Sequence, residues 1–150
     1  PVVAHAVEEM RRRYGRYDAV CCIYATAPFV RIQDLRVGQE RITAGWSFAF
    51  SATQFPAPVY RSFWKLPTGG VQMLFPEHFQ TRSQDLETAY HDAGQFYWGK
   101  AEAWASKESL FGPDSAIIEI PRTLAQDIDT EEDWHIAEKM FQLMRQDSRD

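Results

Sequence analysis

Only two of the 150 residues are cysteine, and they are neighbours, Cys21 and Cys22. Successive residues of a strand point to opposite faces, so the two thiols are not expected to bridge each other. That points to a reducing compartment, and the expected localisation is cytoplasmic. No apolar run approaches the length of a membrane span, and no signal-peptide pattern is seen. Basic residues are outnumbered, 16 Lys and Arg against 21 Asp and Glu. The resulting net charge of −5 argues against non-specific nucleic-acid binding. The basic triplet Arg11, Arg12 and Arg13 reads as the solvated end of a helix.

Several catalytic signatures are missing as well. Gly94, Gly99 and Lys100 have the spacing of a phosphate-binding P-loop, but Ala101 stands where that motif requires Ser or Thr. The residues between those glycines are bulky and strand-like. There is no Gly-x-Gly-x-x-Gly. His5, His78, His91 and His135 lack metal-ligand spacing, and no serine sits in a nucleophile elbow. Covalent and histidine-based catalysis are therefore not expected.

What is present is one domain's worth of alternating elements. Pro1 suits a first helical position, and Val2, Val3, Ala6, Val7 and Met10 form a helical apolar stripe. No cap or strand precedes it, so the chain reads as one entered partway through a domain. Residues 19–24 are a continuous apolar run, expected as a buried parallel strand, and they lead into a loop at 25–29. Residues 31–44 carry Ile32, Leu35, Val37 and Ile42 and read as a covering helix, and 46–53 alternates as a second strand. Together these make a βαβ unit with a right-handed crossover. Thr68, Gly69 and Gly70 should turn a hairpin between 60–66 and 71–75. A polar segment at 76–90 carries Arg82, Gln84 and Asp85. Strands at 94–98 and 117–120 and a short helix at 101–106 follow. A last helix, expected to bury Trp134, Ala137, Phe141 and Met144, completes the α/β pattern.

The stretch from Gln126 to Trp134 joins the last strand to the last helix. Thr130 and Asp133 form a T-x-x-D variant of the capping box, with Glu131 and Glu132 in the first turn, where the helix dipole favours anions. Asp127 and Asp129 lie two apart in extended chain and point the same way. At about 5 Å and an effective dielectric of about 20 they repel by roughly 3 kcal/mol. Water or a cation relieves that cost. A solvated acidic helix start and a Mg²⁺ site both fit the spacing.

Four blocks carry a family resemblance that runs in order over nearly the whole chain. They are Ala25-Thr26-Ala27-Pro28-Phe29, the segment from Pro76 to Leu86, the segment from Tyr90 to Gly99, and Gln126-Asp127-Ile128-Asp129-Thr130. The chain resembles the pseudaminic acid cytidylyltransferases, a branch of the CMP-sialic acid synthetase group. The Arg-Ser-Gln-Asp-Leu block at 82–86 and the Tyr-His-Asp-Ala-Gly-Gln-Phe-Tyr-Trp block at 90–98 are specific to that branch. The resemblance implies an α/β, Rossmann-like nucleotidyltransferase fold, a three-layer α/β/α sandwich on a mixed, mostly parallel sheet. Residues of about 57–92 would be a hairpin insertion for dimerisation and sugar binding.

The resemblance also implies Mg²⁺-dependent transfer of CMP from CTP to the anomeric hydroxyl of pseudaminic acid, a nine-carbon keto-sugar acid, releasing pyrophosphate. The product would serve surface-glycan or flagellin glycosylation. Asp127 and Asp129 would hold the Mg²⁺, and Thr26 would sit beneath the reacting groups. Arg61 and Arg82 would meet the sugar carboxylate, where a bidentate guanidinium fits best. Gln84, Gln95 and Tyr97 would contact the sugar, Phe111 would wall its N-acyl group, and the hairpin at Gly69 and Gly70 would build a homodimer. Members of the family open with a strand and a basic glycine loop that grips the CTP triphosphate. The chain resembles the carboxyl-terminal two-thirds of such an enzyme and is expected to be an incomplete, inactive portion of it. The alternatives are the same chemistry on sialic acid or Kdo, and a non-catalytic fragment for sugar binding and dimerisation.

Overall fold

The computed structural model describes residues 2–106 and 109–147, so Pro1, expected to open the first helix, lies outside them. The elements are α1 (Val2–Tyr14), β1 (Ala19–Ile23), α2 (Ile32–Thr43), β2 (Phe48–Gln54), β3 (Phe63–Lys65), β4 (Val71–Met73), β5 (Tyr90–Lys100), α3 (Ala101–Ala105), β6 (Ser115–Glu119) and α4 (Glu131–Asp147). Short 3-10 turns lie at Val59–Arg61, Pro76–His78, Ser83–Asp85 and Arg122–Leu124.

The main sheet has the order β1-β5-β2-β6. β2 and β6 are parallel, whereas β5 is antiparallel to both of its neighbours. Three strands therefore run one way and β5 runs the other, in a mixed sheet with helices packed against it. The expected βαβ unit is split, because β5 lies between β1 and β2. β1 is also less enclosed than its apolar run suggested. Among the described residues it pairs with β5 alone, antiparallel, and Ile23 is exposed. An apolar run reports where side chains go, and says nothing about which backbone edge is paired. β3 and β4 form a separate two-stranded sheet, turned at Gly69 with φ +86°.

Alternation sorts the core onto two faces. Cys21, Ala49, Phe96 and Trp98 meet Leu35 and Ile42 of α2, whereas Cys22, Phe50 and Tyr97 meet Trp104 of α3 and Leu110. Both thiols are free, and burial pushes that of Cys21 up to about 12, which keeps it protonated and inert. No helix among the described residues is long and apolar enough to cross a membrane.

A third cluster, of Phe29, Ala93, Ile120, Leu124 and Ala137, seats α4. The start of that helix is capped as expected. The Asp133 carboxylate accepts from the Thr130 hydroxyl at 2.7 Å and the Thr130 N–H at 2.9 Å, and Asp133 N–H returns a bond to the Thr130 hydroxyl at 3.2 Å. These contacts hold the Asp133 carboxyl below its ordinary range. The expected buried face is only partly right. Ala137, Met140 and Met144 pack inward, while Trp134 and Phe141 are 54% and 52% exposed. At 3.6 residues per turn, those two rings lie roughly 80° to the side of the 137–140–144 seam.

α2 departs from its apolar pattern in the same way. Ile32 and Val37 face solvent, and the buried positions are Asp34, Gly38 and Ile42. Asp34 tolerates burial because the Arg31 guanidinium grips both of its oxygens, at 2.7 and 2.9 Å. Gly38 lets the helix lie directly on the sheet. A Cβ there would stand 2.5 Å from Trp98 Cδ1 and 3.2 Å from Phe96 Cε2. The Trp98 ring cannot swing aside freely, since its Nε1–H donates to Leu35 O at 3.0 Å.

Helix propensity alone would make Gly38→Ala stabilising by about 0.5–1 kcal/mol. Overpacking a close contact costs about 1–3 kcal/mol, and at 2.5 Å it prevails. Gly38→Ala is expected to lower the melting temperature by a few degrees. A variant that melts higher than the parent would mean that α2 does not rest on Trp98.

Candidate active site

The site grows out of an irregularity in β5. Phe50 pairs with Tyr97 and Ala52 with Asp92, so residues 93–96 of β5 stand opposite Ser51 alone. The surplus chain bulges, and Ser51 Oγ accepts from the N–H groups of Gln95 and Phe96 at 3.3 and 3.4 Å. Gly94 takes φ +63° to make the turn. Asp92 secures it, because its Oδ1 accepts the Gly94 N–H at 2.9 Å and its Oδ2 accepts the Tyr97 hydroxyl proton.

Asp127 rests on that bulge. A Cβ at Gly94 would stand 2.8 Å from Asp127 Oδ2 and 3.1 Å from its Cγ, so glycine is required by both the backbone and the space. From the other side, Thr26 in the loop after β1 donates its hydroxyl to Asp127 Oδ1 at 3.1 Å. Thr26 and Asp127 follow β1 and β6, so the site lies past the carboxyl ends of co-directional strands, where α/β sheets bind ligands.

Aromatic rings back this corner. Tyr97 lies 5.2 Å from Tyr24 and stacks on Phe50 at 6.2 Å, and Phe50 meets Phe111 edge-on at 5.1 Å. Burial first, and then the hydrogen bond to Asp92, hold the Tyr97 phenol well above its ordinary range, and the charge of Asp127 acts in the same direction. The phenol is neutral at any physiological pH.

Asp127 and Asp129 are both exposed. The Asp129 backbone N–H donates to Asp133 Oδ2 at 3.2 Å, and its carboxylate makes no hydrogen bond among the described residues. Nor do the described residues contain any cluster of three or more His, Cys, Asp or Glu able to hold a metal. Two exposed carboxylates supply the hard oxygen donors that Mg²⁺ takes when water and phosphate complete its shell. The pair fits such an ion.

The remaining expected residues fall into two groups. Phe111, 62% exposed, joins Tyr97 through Phe50. Gln95, expected to line the sugar pocket, is fully buried. Its Nε2 donates to Leu124 O at 2.6 Å, and its Oε1 has no partner among the described residues. Arg61, Arg82 and Gln84 lie in the segment around the β3–β4 hairpin. Arg61 donates to Thr81 O at 2.6 Å, Arg82 pairs with Asp85 at 2.8 Å, and Gln84 is exposed. No hydrogen bond or ion pair joins these three to Thr26, Tyr97 or Asp127 among the described residues. The sequence reading missed Asp92 and Gly94 as site residues, although Asp-x-Gly is itself a turn signal in which an Asp side chain bonds the N–H two residues on.

No protein-family model matches the chain. Individual relatives do. The chain is 39% identical, over 143 residues and 95% of its length, to a protein of Campylobacter jejuni serotype O:2. It is 39% identical over 94% of its length to that of serotype O:23/36. Both are named pseudaminic acid cytidylyltransferase. The chain is similar to the pseudaminic acid cytidylyltransferases. A Helicobacter pylori relative, 36% identical over 85% of the chain and 24% of its own length, is named pseudaminic acid cytidylyltransferase and UDP-2,4-diacetamido-2,4,6-trideoxy-beta-L-altropyranose hydrolase. The chain spans 62% and 61% of the length of the two Campylobacter cytidylyltransferases.

Gly94→Ala tests how the site is built. A left-handed backbone costs a residue with a side chain about 1–2 kcal/mol, and the contact with Asp127 adds to that. Urea unfolding is expected to show at least that loss, and parent-like stability would contradict a left-handed bulge at Gly94.

Proposed function

We propose that the protein carrying this chain is a pseudaminic acid cytidylyltransferase, transferring CMP from CTP to the anomeric hydroxyl of pseudaminic acid. The observation that carries the reading is the meeting of Thr26, Gly94 and Asp127 at the strand ends, in a chain so closely similar to enzymes of that name. The anomeric oxygen attacks the α-phosphorus in line, the bond to the β-phosphate oxygen breaks, and pyrophosphate leaves. Such transfer depends mostly on positioning and charge neutralisation, so no side-chain nucleophile is needed. Mg²⁺, when bound, neutralises phosphate charge. Asp127 and Asp129 are the residues to hold it, and the Thr26 hydroxyl fixes the orientation of the Asp127 carboxylate.

Phe111, exposed and seated edge-on against Phe50, supports a wall for the sugar's N-acyl group, with Tyr97 packed behind it. Arg82 suits the sugar carboxylate, and its present partner is no obstacle, because an exposed pair such as Arg82 with Asp85 is worth only about 0–1 kcal/mol. Phe63, Trp64, Val71 and Phe79 leave an exposed apolar surface on and beside the hairpin, which supports a homodimer built there. A cytoplasmic setting, with CTP and activated-sugar biosynthesis, suits the free cysteines.

Pyrophosphate release from CTP and Mg²⁺ by the complete protein, with pseudaminic acid, sialic acid and Kdo offered in turn, tests the reading. Pseudaminic acid is expected to be the preferred acceptor. Asp129→Ala should reduce turnover at least a hundredfold at saturating Mg²⁺ with the circular dichroism unchanged. Near-normal turnover in the folded variant would sink the metal assignment. Arg82→Lys keeps the charge but loses the planar fork, so it should raise the KM for the sugar several-fold and leave that for CTP nearly unchanged. Equal losses for both substrates would place Arg82 elsewhere.

A further inference from the structure

The sequence of β1 and its place in the sheet disagree. Ala19-Val20-Cys21-Cys22-Ile23 puts apolar side chains on both faces, the pattern of a strand inside a sheet, yet among the described residues β1 pairs with β5 alone. Tyr24 N–H donates to Gln95 O and Ala101 N–H to Asp18 O, so the even-numbered residues turn their backbone groups toward β5. Ala19, Cys21 and Ile23 turn theirs the other way, where they meet no partner among the described residues.

Between β1 and α1 lies a groove of 440 Å³, lined by Val20, Cys21 and Cys22 of the strand and by Val2, Ala6 and Met10 of the helix. The last three follow one another at four-residue intervals on one side of α1, and all are exposed. Tyr17 carries the one hydroxyl among the lining side chains, so the groove lacks the convergent polar groups that orient a small ligand. What β1 does offer is a row of backbone donors and acceptors two residues apart, which another strand matches in register.

We propose that this groove seats an extended apolar segment of the complete protein that lies outside these 150 residues and joins the sheet along β1. More than a third of each Campylobacter relative falls outside its match to the chain, ample for a strand of about five or six residues. The alternate side chains of that segment pack under α1 while its backbone closes the edge. β1 then has a neighbour on each side, as its apolar run requires. Because β1 leads directly into the loop of Thr26, securing its edge also steadies the Thr26 hydroxyl on Asp127.

Amide hydrogen exchange, resolved by residue on the complete protein, tests the pairing. Ala19, Cys21 and Ile23 are expected to exchange as slowly as Val20 and Cys22, within about tenfold. Exchange about a hundredfold faster at the odd-numbered residues alone would show an open edge and overturn the proposal. Photo-methionine in place of Met10 should cross-link, within one molecule, to a segment outside residues 1–150. Cross-links between two copies, with protection lost on dilution to the monomer, would assign the groove to a dimer contact and equally overturn it. Ala6→Arg should lower the melting temperature of the complete protein by several degrees, because it drives a charge into apolar packing. An unchanged melting temperature would mean that the groove stays open to water, against the proposal.

Discussion

Where β5 passes Ser51, four residues must fit opposite one, and the chain absorbs the surplus in a left-handed turn at Gly94. The missing side chain there leaves the space that Asp127 fills, with its Oδ2 2.8 Å from where a Cβ would stand. The same bulge sends the Gln95 side chain into the interior, where it ties β5 to Leu124 on the path from β6 to α4. It also places Asp92 and Tyr97 five residues apart and in contact, which a regular strand could not do at about 3.3 Å per residue. One local departure from strand geometry thus sets the position of the acidic segment, the phenol and the carboxylate that holds it.

Charge at this corner is one-sided. Asp92 and Asp127 meet there around Gly94, and neither makes an ion pair with Lys or Arg among the described residues. Arg31 and Lys100 are engaged elsewhere, with Asp34 and with Gly45 O. Buried Gln95 Oε1, unpartnered among the described residues, is a further sign that this region is not arranged for stability alone.

The hairpin segment obeys different constraints. Its two strands are three residues each and form their own small sheet, and several of its large apolar side chains face outward. An isolated two-stranded ribbon is marginal in water without a surface to pack on. Its basic residues are engaged locally, Arg61 with Thr81 and Arg82 with Asp85, rather than with the acidic corner.

Much of the fold was legible in the sequence because it depends on short-range chemistry. The Thr130–Asp133 cap, the hairpin at Gly69 and the short helix after Lys100 each follow from a few neighbouring residues. The blocks at 82–86 and 90–98 likewise carried the family likeness by themselves. Other features were decided only when the chain closed on itself. That β5 separates β1 from β2 is a matter of which edges meet, and apolar patterning is blind to edges. Which of the apolar positions on α2 and α4 face inward turned on helix rotation, set by Gly38 against Trp98 and Ala137 against Phe29 and Ile120. The burial of Gln95 and the pairing of Asp92 with Tyr97 arise from a bulge whose length depends on the partner strand. Sequence states which groups are available, and tertiary register decides which of them can touch.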